Sequence, residues 1–355
     1  MKEAAILIGD ELMRTSYGKT AHGLLRKSDR FEIVGVVQSG TIAGDAGELI
    51  GVGPLGIPLT HSVSHALAAA RTRPAWAIVG IATPGGKMRP AVRSLILSAA
   101  RDGLSIVNGL HDQISEDEEI AEIVARKGGR IIDLRKVKKP SEMSYWTGKI
   151  CDLPIRRVAV LGTDCMVGKR TTTSMIVDAL KDRSIAAEMI YTGQTGWLQG
   201  ADYGFILDAT INDFVSGELE SALLSCASNK NPDIMVIEGQ SSMNYPGSPC
   251  GAEIIVSADV HGVVLQHAPG RSSFRGYDTL ADKRPSVETE IKLISAYGVP
   301  LLGICLNFSE FGDTGRESYM AELRSRYNVP VVNPWSEDLS FIVDVIEGLI
   351  ARRAL

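Results

Sequence analysis

"VAVLGTDCMVGKRTTT", residues 158–173, decides how the second half of the chain folds. It begins as an apolar strand that leads directly into Gly162, and a helix pattern starts near Gly168 with Lys169 in its first turn. This order is typical of the phosphate-binding loop (P-loop) G-x-x-x-x-G-K-[ST], in which backbone N–H groups and a helix N-terminus surround an anion. Two features differ from that motif: five residues separate the glycines, and Arg170 follows the lysine.

The loop is nevertheless predicted to bind phosphate, because the strand, the glycines, the lysine and three threonine hydroxyls occur together. The alternative is an ordinary strand–turn–helix joint with a surface lysine, in which Cys165 is a small loop side chain and not a reactive thiol. The residues predicted to contact the phosphates are Gly162, Thr163, Asp164, Cys165, Gly168, Lys169, Arg170, Thr171 and Thr172.

Strand and helix patterns alternate along the chain, which predicts parallel, doubly wound α/β sheets. The strands predicted in the first half are 4–9, 31–37, 76–82 and 130–134. Helices are predicted at 90–103 and 115–129, the second with a capping box from Ser115 to Glu118. The second half restarts the alternation at residue 157, and it contains six further strand patterns.

A charged stretch with two prolines interrupts this alternation in the middle of the chain. We therefore predict a Rossmann-like domain over 1–140, a linker over 141–156 and a P-loop NTPase-like domain over 157–355. Tyr145 and Trp146 are expected to attach the linker to one of the two domains.

Composition limits the classes of function. The chain has 355 residues, 45% of them hydrophobic, with a net charge of −5, which argues against a dominant nucleic-acid or membrane-surface footprint. No apolar run reaches the roughly 20 residues of a membrane span, and the N-terminus lacks a signal-peptide pattern. Five cysteines without a C-x-x-C pair fit a reducing compartment. We expect a cytoplasmic protein that acts on a small molecule, and the parallel sheet and the apolar C-terminal helix allow a homo-oligomer.

The loop "GTDCMVGK" resembles that of dethiobiotin synthetase and its relatives, which also carry five residues after a "GTD" opening. The strand "DIMVIEG" (233–239) ends in Glu238, as do the strands that face magnesium in those enzymes. This resemblance implies an ATP-dependent kinase or ligase with Mg²⁺ on Thr171 and Glu238. Two departures are present: Arg170 replaces the usual hydroxyl, and "YTGQTG" (191–196) lacks the substrate-positioning lysine.

A second resemblance uses more of the chain. The ordered motifs "GTDCMVGKRTT", "YTGQTGW", "VIEGQSS" and "QHAPGR", together with the Rossmann-like first half, are similar to a two-domain P-loop family long of unknown function. That family includes D-glutamate N-acetyltransferase. The resemblance implies acetyl-CoA as cosubstrate, D-glutamate as the favoured amino-acid acceptor and a role in D-amino acid metabolism. Lys169 and Arg170 would then hold the phosphates of CoA without hydrolysing them.

Amino-acid acetylation needs a base, donors for an oxyanion and cations for carboxylates. Candidate bases are His267, which can titrate near neutral pH, Glu238 and, with less support, Asp213. The candidate substrate-binding residues are the neutral donors Gln194, Thr195, Gln240 and Ser241 and the cations Arg271 and Arg275. Two alternatives stay open: the ATP- and Mg²⁺-dependent enzyme, and a nucleotide-sensing module without turnover.

Overall fold

The computed structural model describes residues 2–41, 43–280 and 283–352, which form two compact units. The first unit contains the chain up to Val137 together with Gln194–Gly200. The second contains Lys138–Gly193 and the chain from Ala201 onward. Each unit is an α/β fold built on a seven-stranded, mainly parallel sheet, so the predicted fold class is confirmed. The predicted domain boundaries at 140 and 157 stay a prediction.

The strands are, in chain order, β1 (Glu3–Gly9), β2 (Phe31–Gln38), β3 (Gly44–Asp45), β4 (Pro58–Thr60), β5 (Trp76–Val79), β6 (Ser105–Asn108), β7 (Ile131–Asp133), β8 (Arg156–Gly162), β9 (Ala187–Tyr191), β10 (Tyr203–Gly204), β11 (Ile234–Glu238), β12 (Gly262–His267), β13 (Leu301–Leu306) and β14 (Val331–Val332). The α-helices are α1 (Lys19–Arg26), α2 (Val63–Ala69), α3 (Pro90–Arg101), α4 (Glu118–Arg126), α5 (Lys169–Asp182), α6 (Gln194–Gln199), α7 (Val215–Lys230), α8 (Ala252–Ser257), α9 (Val287–Ala296), α10 (Arg316–Tyr327) and α11 (Ser340–Ala351). Across the described residues, none of these helices has both the length and the apolar character needed to cross a membrane.

The sheet of the first unit has the order β3-β4-β2-β1-β5-β6-β7, and among the residues that the structure describes only the β3–β4 pair is antiparallel. Helix α6 belongs to this unit although it follows β9 in the chain. The Gln199 side chain donates to the carbonyls of Gly23 and Lys27 at the end of α1, at 2.8 Å each. Leu198 is buried in the first unit's core.

Several details of the first unit differ from the sequence prediction, among them strands β3 and β4, which were not predicted and are only two and three residues long. Strand β6 was not predicted, because its apolar run is only about four residues long and follows α3 after a very short turn. The Ser115 capping box is wrong: α4 begins at Glu118, and the Asp117 side chain accepts from the backbone N of Ile120. The Ser115 backbone N instead donates to Asp133, so Ser115 lies in a turn before the helix.

The sheet of the second unit has the order β10-β9-β11-β8-β12-β13-β14, and all of its strand pairs in the described chain are parallel. Alternate residues of β8 enter different cores: Val158 and Val160 pack with α5 and α11, and Ala159 and Leu161 face the opposite side. Because both faces of β8 are covered, its sequence is a nearly continuous apolar run. Strand β8 pairs with β11 on one side and β12 on the other, so the carboxyl ends of these three strands meet at one edge.

The predicted linker residues are held on the second unit by two buried glutamates of α7. Glu218 accepts from the backbone N of Ser144 at 2.9 Å, and Glu220 accepts from the backbone N of Ile150 at 3.1 Å. The Trp146 indole donates to the carbonyl of Ser257 at 3.0 Å, and the Tyr145 ring stacks near Phe214. The prediction that Tyr145 and Trp146 attach this segment to a domain is therefore confirmed.

Candidate functional site

The loop between β8 and α5 leads into a helix whose N-terminus no side chain caps. Gly168 occupies the N-cap position with φ +116°, a conformation that favours glycine, and α5 has no side-chain cap. The first-turn N–H groups of an α-helix have no intrahelical partner, and the positive end of the helix dipole lies at the same place. Met166, in the middle of the loop, also has a left-handed backbone at φ +58°. Such strain at a non-glycine residue is concentrated at functional sites.

Lys169 lies inside this loop and not on the surface. Its side chain is buried, and its ammonium donates to the carbonyls of Asp164 at 2.7 Å and Ser241 at 2.6 Å. Burial lowers the pKa of the Lys169 ammonium, and the nearby carboxylates of Asp164 and Glu238 act against that shift. The alternative interpretation, an ordinary strand–turn–helix joint with a surface lysine, is therefore wrong.

Asp164 and Arg271 form a buried ion pair that holds the loop. The Asp164 side chain is fully buried, and its Oδ2 accepts from Arg271 at 2.7 Å and from the backbone N of Arg275 at 3.1 Å. Arg271 also donates to the carbonyls of Cys165 and Met166. The assignment of Arg271 and Arg275 to substrate stays a prediction, but the contacts of Arg271 give it a task in the loop itself.

His267, at the end of β12, is bound to the first residue of the loop. Its Nδ1 lies 2.8 Å from the Thr163 hydroxyl oxygen, and its side chain is buried. Burial, followed by the positive charge of Arg271, lowers the pKa of His267 to about 4. The imidazole is therefore neutral at pH 7. The neighbouring Gln266 accepts a hydrogen bond from the Thr172 hydroxyl at 2.5 Å, which joins β12 to α5.

Glu238 ends β11, next to β8, as the sequence predicts. Its carboxylate accepts from the backbone N of Thr192 at 3.1 Å, and the backbone N of Gly193 is a further donor. Burial raises the pKa of Glu238, and the positive charges of Arg170 and Lys169 partly oppose that shift. Those two interactions show that Glu238 lies within electrostatic range of the start of α5.

The threonine hydroxyls in the first turn of α5 differ in their hydrogen-bond partners. The Thr172 hydroxyl is bonded to Gln266 and the Thr173 hydroxyl to the carbonyl of Lys169. Thr171 is partly exposed, and in the described part of the chain its hydroxyl has no protein partner. Thr171 is consequently the hydroxyl of this turn that a phosphate or a hydrated cation can reach.

Ser241 connects several of these groups. It has a left-handed backbone at φ +42°, its carbonyl accepts from Lys169, and its hydroxyl lies 3.4 Å from the Cys165 sulfur. The Gln240 side chain donates to the Thr192 hydroxyl at 3.1 Å. Gln240 and Ser241 are thus at the strand edge where they were predicted, although their contact with a substrate stays a prediction.

For three further predicted residues, hydrogen bonds to this network are not found among the described residues, and their roles stay predictions. Gln194 and Thr195 begin α6 and belong to the first unit, where the Thr195 hydroxyl is 3.5 Å from that of Thr20. Asp213 is exposed in the turn Asn212–Phe214 before α7. The helix after Gly193 belongs to the first unit through contacts between distant residues, for which the sequence has no local signal.

Sequence reasoning missed three residues at this edge. The Thr192 hydroxyl donates to the Glu238 carbonyl at 2.7 Å, and the Asn307 side chain donates to the Val167 carbonyl at 3.0 Å. Trp335 lies so close to Gly168 that a Cβ added there would be 2.6 Å from its ring. All three follow a strand, so the rule that the carboxyl ends of parallel strands carry the site could have found them.

Two family models match this chain. A family model described as a domain of unknown function, the P-loop domain of DUF1611, matches residues 144–343, and the Rossmann-like N-terminal domain of the same family matches residues 40–137. The chain belongs to the DUF1611 family. This confirms the family resemblance of the sequence motifs.

Proteins similar to this chain include two with a named activity. A protein of Pseudoalteromonas sp. named D-glutamate N-acetyltransferase is 30% identical over 75% of this chain and 79% of its own length. One of Tritonibacter scottomollicae with the same name is 27% identical over 77% of this chain and 81% of its own length. The crystal structure of a DUF1611 family protein from Anabaena variabilis is 27% identical, with a TM-score of 0.84 over 99% of this chain and 100% of that one.

Proposed function

We propose that this protein is an N-acetyltransferase that moves the acetyl group of acetyl-CoA to the amino group of glutamate, with the D enantiomer preferred. The names of the two relatives, at 27% and 30% identity, support the proposal. The structural observation that carries it is the uncapped start of α5 with Lys169 buried beside it. That arrangement suits a ligand with phosphate groups, as CoA has.

The loop has the donors that the phosphates of CoA require. No side chain caps the start of α5, and a helix N-terminus is suited to bind an anion. An ammonium has three N–H donors, and the carbonyls of Asp164 and Ser241 use two of those on Lys169, which leaves one for a phosphate oxygen. Arg170 adds a second positive charge at the same turn, and guanidinium groups bind phosphate oxygens in pairs.

Glu238 is the better general base of the two buried candidates. A base is more effective when its pKa lies closer to the working pH. Burial raises the pKa of Glu238, which strengthens it as a base, whereas burial lowers the pKa of His267 to about 4, which weakens it. His267 is in addition bound to the Thr163 hydroxyl, so its proposed role is to position the loop.

In the proposed reaction, Glu238 takes a proton from the acceptor ammonium. The free amine attacks the acetyl carbonyl carbon, the C–N bond forms, and the carbonyl oxygen becomes an oxyanion near the donors Gln240 and Ser241. The oxyanion then reforms the carbonyl as the C–S bond breaks, the attacking nitrogen gives up its second proton to the departing thiolate of CoA, and the proton held by Glu238 passes to solvent. Arg275, whose backbone N donates to the Asp164 carboxylate of the loop, is the proposed contact for an acceptor carboxylate.

The test is to incubate the full chain with acetyl-CoA and each of a set of D- and L-amino acids. Thiol release and mass spectrometry of the products measure acetyl transfer. We expect D-glutamate to give the N-acetyl product and Glu238→Gln to slow it by about 100-fold or more. Glu317→Gln changes an exposed acid of the same unit and is the matched control. Release of phosphate from ATP without release of thiol would instead favour the ligase, and no turnover of either would favour the sensing module.

A further inference from the structure

Trp335 is a large aromatic side chain that lies against the phosphate loop while 41% of its surface stays exposed. A Cβ added at Gly168 would lie 2.6 Å from its Cη2 and 2.9 Å from its Cζ2, so the edge of the indole lies directly over Gly168. An exposed aromatic ring costs hydrophobic free energy unless a ligand or another chain covers it. Trp335 therefore offers a flat apolar surface next to the anion site.

The turn that carries Trp335 is ordered by its own hydrogen bonds. The Asn333 side chain accepts from the backbone N of Trp335 at 3.1 Å, and Glu337 accepts from the backbone N of Asn333 at 2.5 Å. The Asn333 carbonyl accepts from the backbone N atoms of Ser336 and Glu337. Since the turn is already fixed, little conformational entropy is lost when a ligand contacts the indole.

The phosphate loop is also fixed on the side that faces this turn. The Asn307 side chain donates to the Val167 carbonyl, one residue before Gly168. The indole and the start of α5 are consequently held at a set spacing next to Gly168. A ligand with phosphates and a planar ring can contact both without a large rearrangement.

We propose that Trp335 is the stacking surface for the adenine ring of the nucleotide whose phosphates the loop binds. Bases stack on aromatic side chains largely independently of their hydrogen-bonding groups, because every base has a π face. This inference rests on the proposed function only in its phosphate-binding part, and it does not depend on acetyl transfer. CoA and adenine nucleotides share the adenine ring, so the measurements below separate the two sources.

The test is isothermal titration of the full chain with CoA, with ADP, and with two probes that lack the base, pyrophosphate and 4′-phosphopantetheine. Stacking of one base contributes about 1–3 kcal/mol, so Trp335→Ala should weaken the ligands that contain adenine by about 10-fold. Affinity for the two probes without the base should not change. Trp335→Phe should keep most of the affinity. Trp146→Ala changes another exposed tryptophan of the same unit and should change none of these affinities.

Equal weakening of all four ligands by Trp335→Ala would overturn the proposal, since it would show that the indole only supports the loop. Unchanged affinity for both CoA and ADP would overturn it as well. Acetyl transfer is measured in parallel. If transfer fails but Trp335→Ala still weakens ADP selectively, the proposed function is wrong and the stacking surface stands. If transfer occurs and the adenine gives no selective loss, the stacking surface is wrong and the proposed function stands.

Discussion

Removal of the Asp164 carboxylate is predicted to destabilise the second unit by about 3 kcal/mol. Asp164 is fully buried, and it binds the Arg271 guanidinium, which is 7% exposed. In Asp164→Ala that guanidinium would stay in the interior without its closest counter-ion, and breaking a buried pair in this way costs about 3–5 kcal/mol. We expect the lower end of that range, because Glu310 and two loop carbonyls still accept from Arg271.

The assay is urea denaturation of Asp164→Ala, Arg271→Met and the double variant. The double variant removes both charges, so its loss of stability should be smaller than the sum of the single losses, with a coupling energy of about 1–3 kcal/mol. The exposed pair of Arg183 and Asp344 is the matched control, with side chains 32% and 58% exposed. Asp344→Ala should cost at most about 1 kcal/mol.

Two results would refute this reasoning. The first is a loss of unfolding free energy in Asp164→Ala that is no larger than the loss in Asp344→Ala, which would mean that burial does not strengthen the ion pair. The second is strict additivity in the cycle, which would mean that the two side chains act independently in spite of their 2.7 Å contact.

Three further predictions concern the same loop. Lys169→Met should weaken binding of CoA or ADP by about 10- to 100-fold in calorimetric titration, and unchanged affinity would contradict the phosphate site. Gly168→Ala should lower the melting temperature more than Gly315→Ala, because both glycines are N-caps with positive φ but only Gly168 lacks room beside Trp335. His267 has a pKa lowered to about 4, so the unfolded chain binds more protons between pH 4 and 6.5, and stability is lost as the pH falls through that window. Measured by urea denaturation, the free energy of unfolding should fall by roughly 3 kcal/mol across that window in the unmodified protein and by less in His267→Asn. An equal fall in the unmodified protein and in His267→Asn would exclude His267 as the source.

The parts of the site that could be predicted from the sequence follow local rules. A strand, a glycine, a lysine and a helix start are contiguous, so the loop and Lys169 can be recognised from one stretch. Glu238 ends a neighbouring apolar strand, and parallel topology brings such ends together. The fold class follows in the same way from the alternation of strand and helix patterns.

The remaining features depend on contacts between distant residues, for which the sequence has no local signal. The position of Trp335 after β14 places it at the edge of the site, but the close approach of its ring to Gly168 joins positions far apart in the chain and no motif marks that contact. The sequence places Arg271 in a charged loop but does not show that Asp164 neutralises it. The relative strength of Glu238 and His267 as bases also depends on burial, which their residue types alone do not determine.

A gene cut after Val137 would not give two self-sufficient proteins. The N-terminal product would lose α6, although Leu198 fills part of its core and the Trp197 ring lies beside Phe31 and under the Arg30 guanidinium. That product would expose apolar surface, while the C-terminal product would carry a helix with nothing to cover it. The two halves must therefore be inherited together, and a recombination event between them succeeds only if the new partner brings a compatible helix. Expression of the first unit alone should require α6 to be grafted behind Val137.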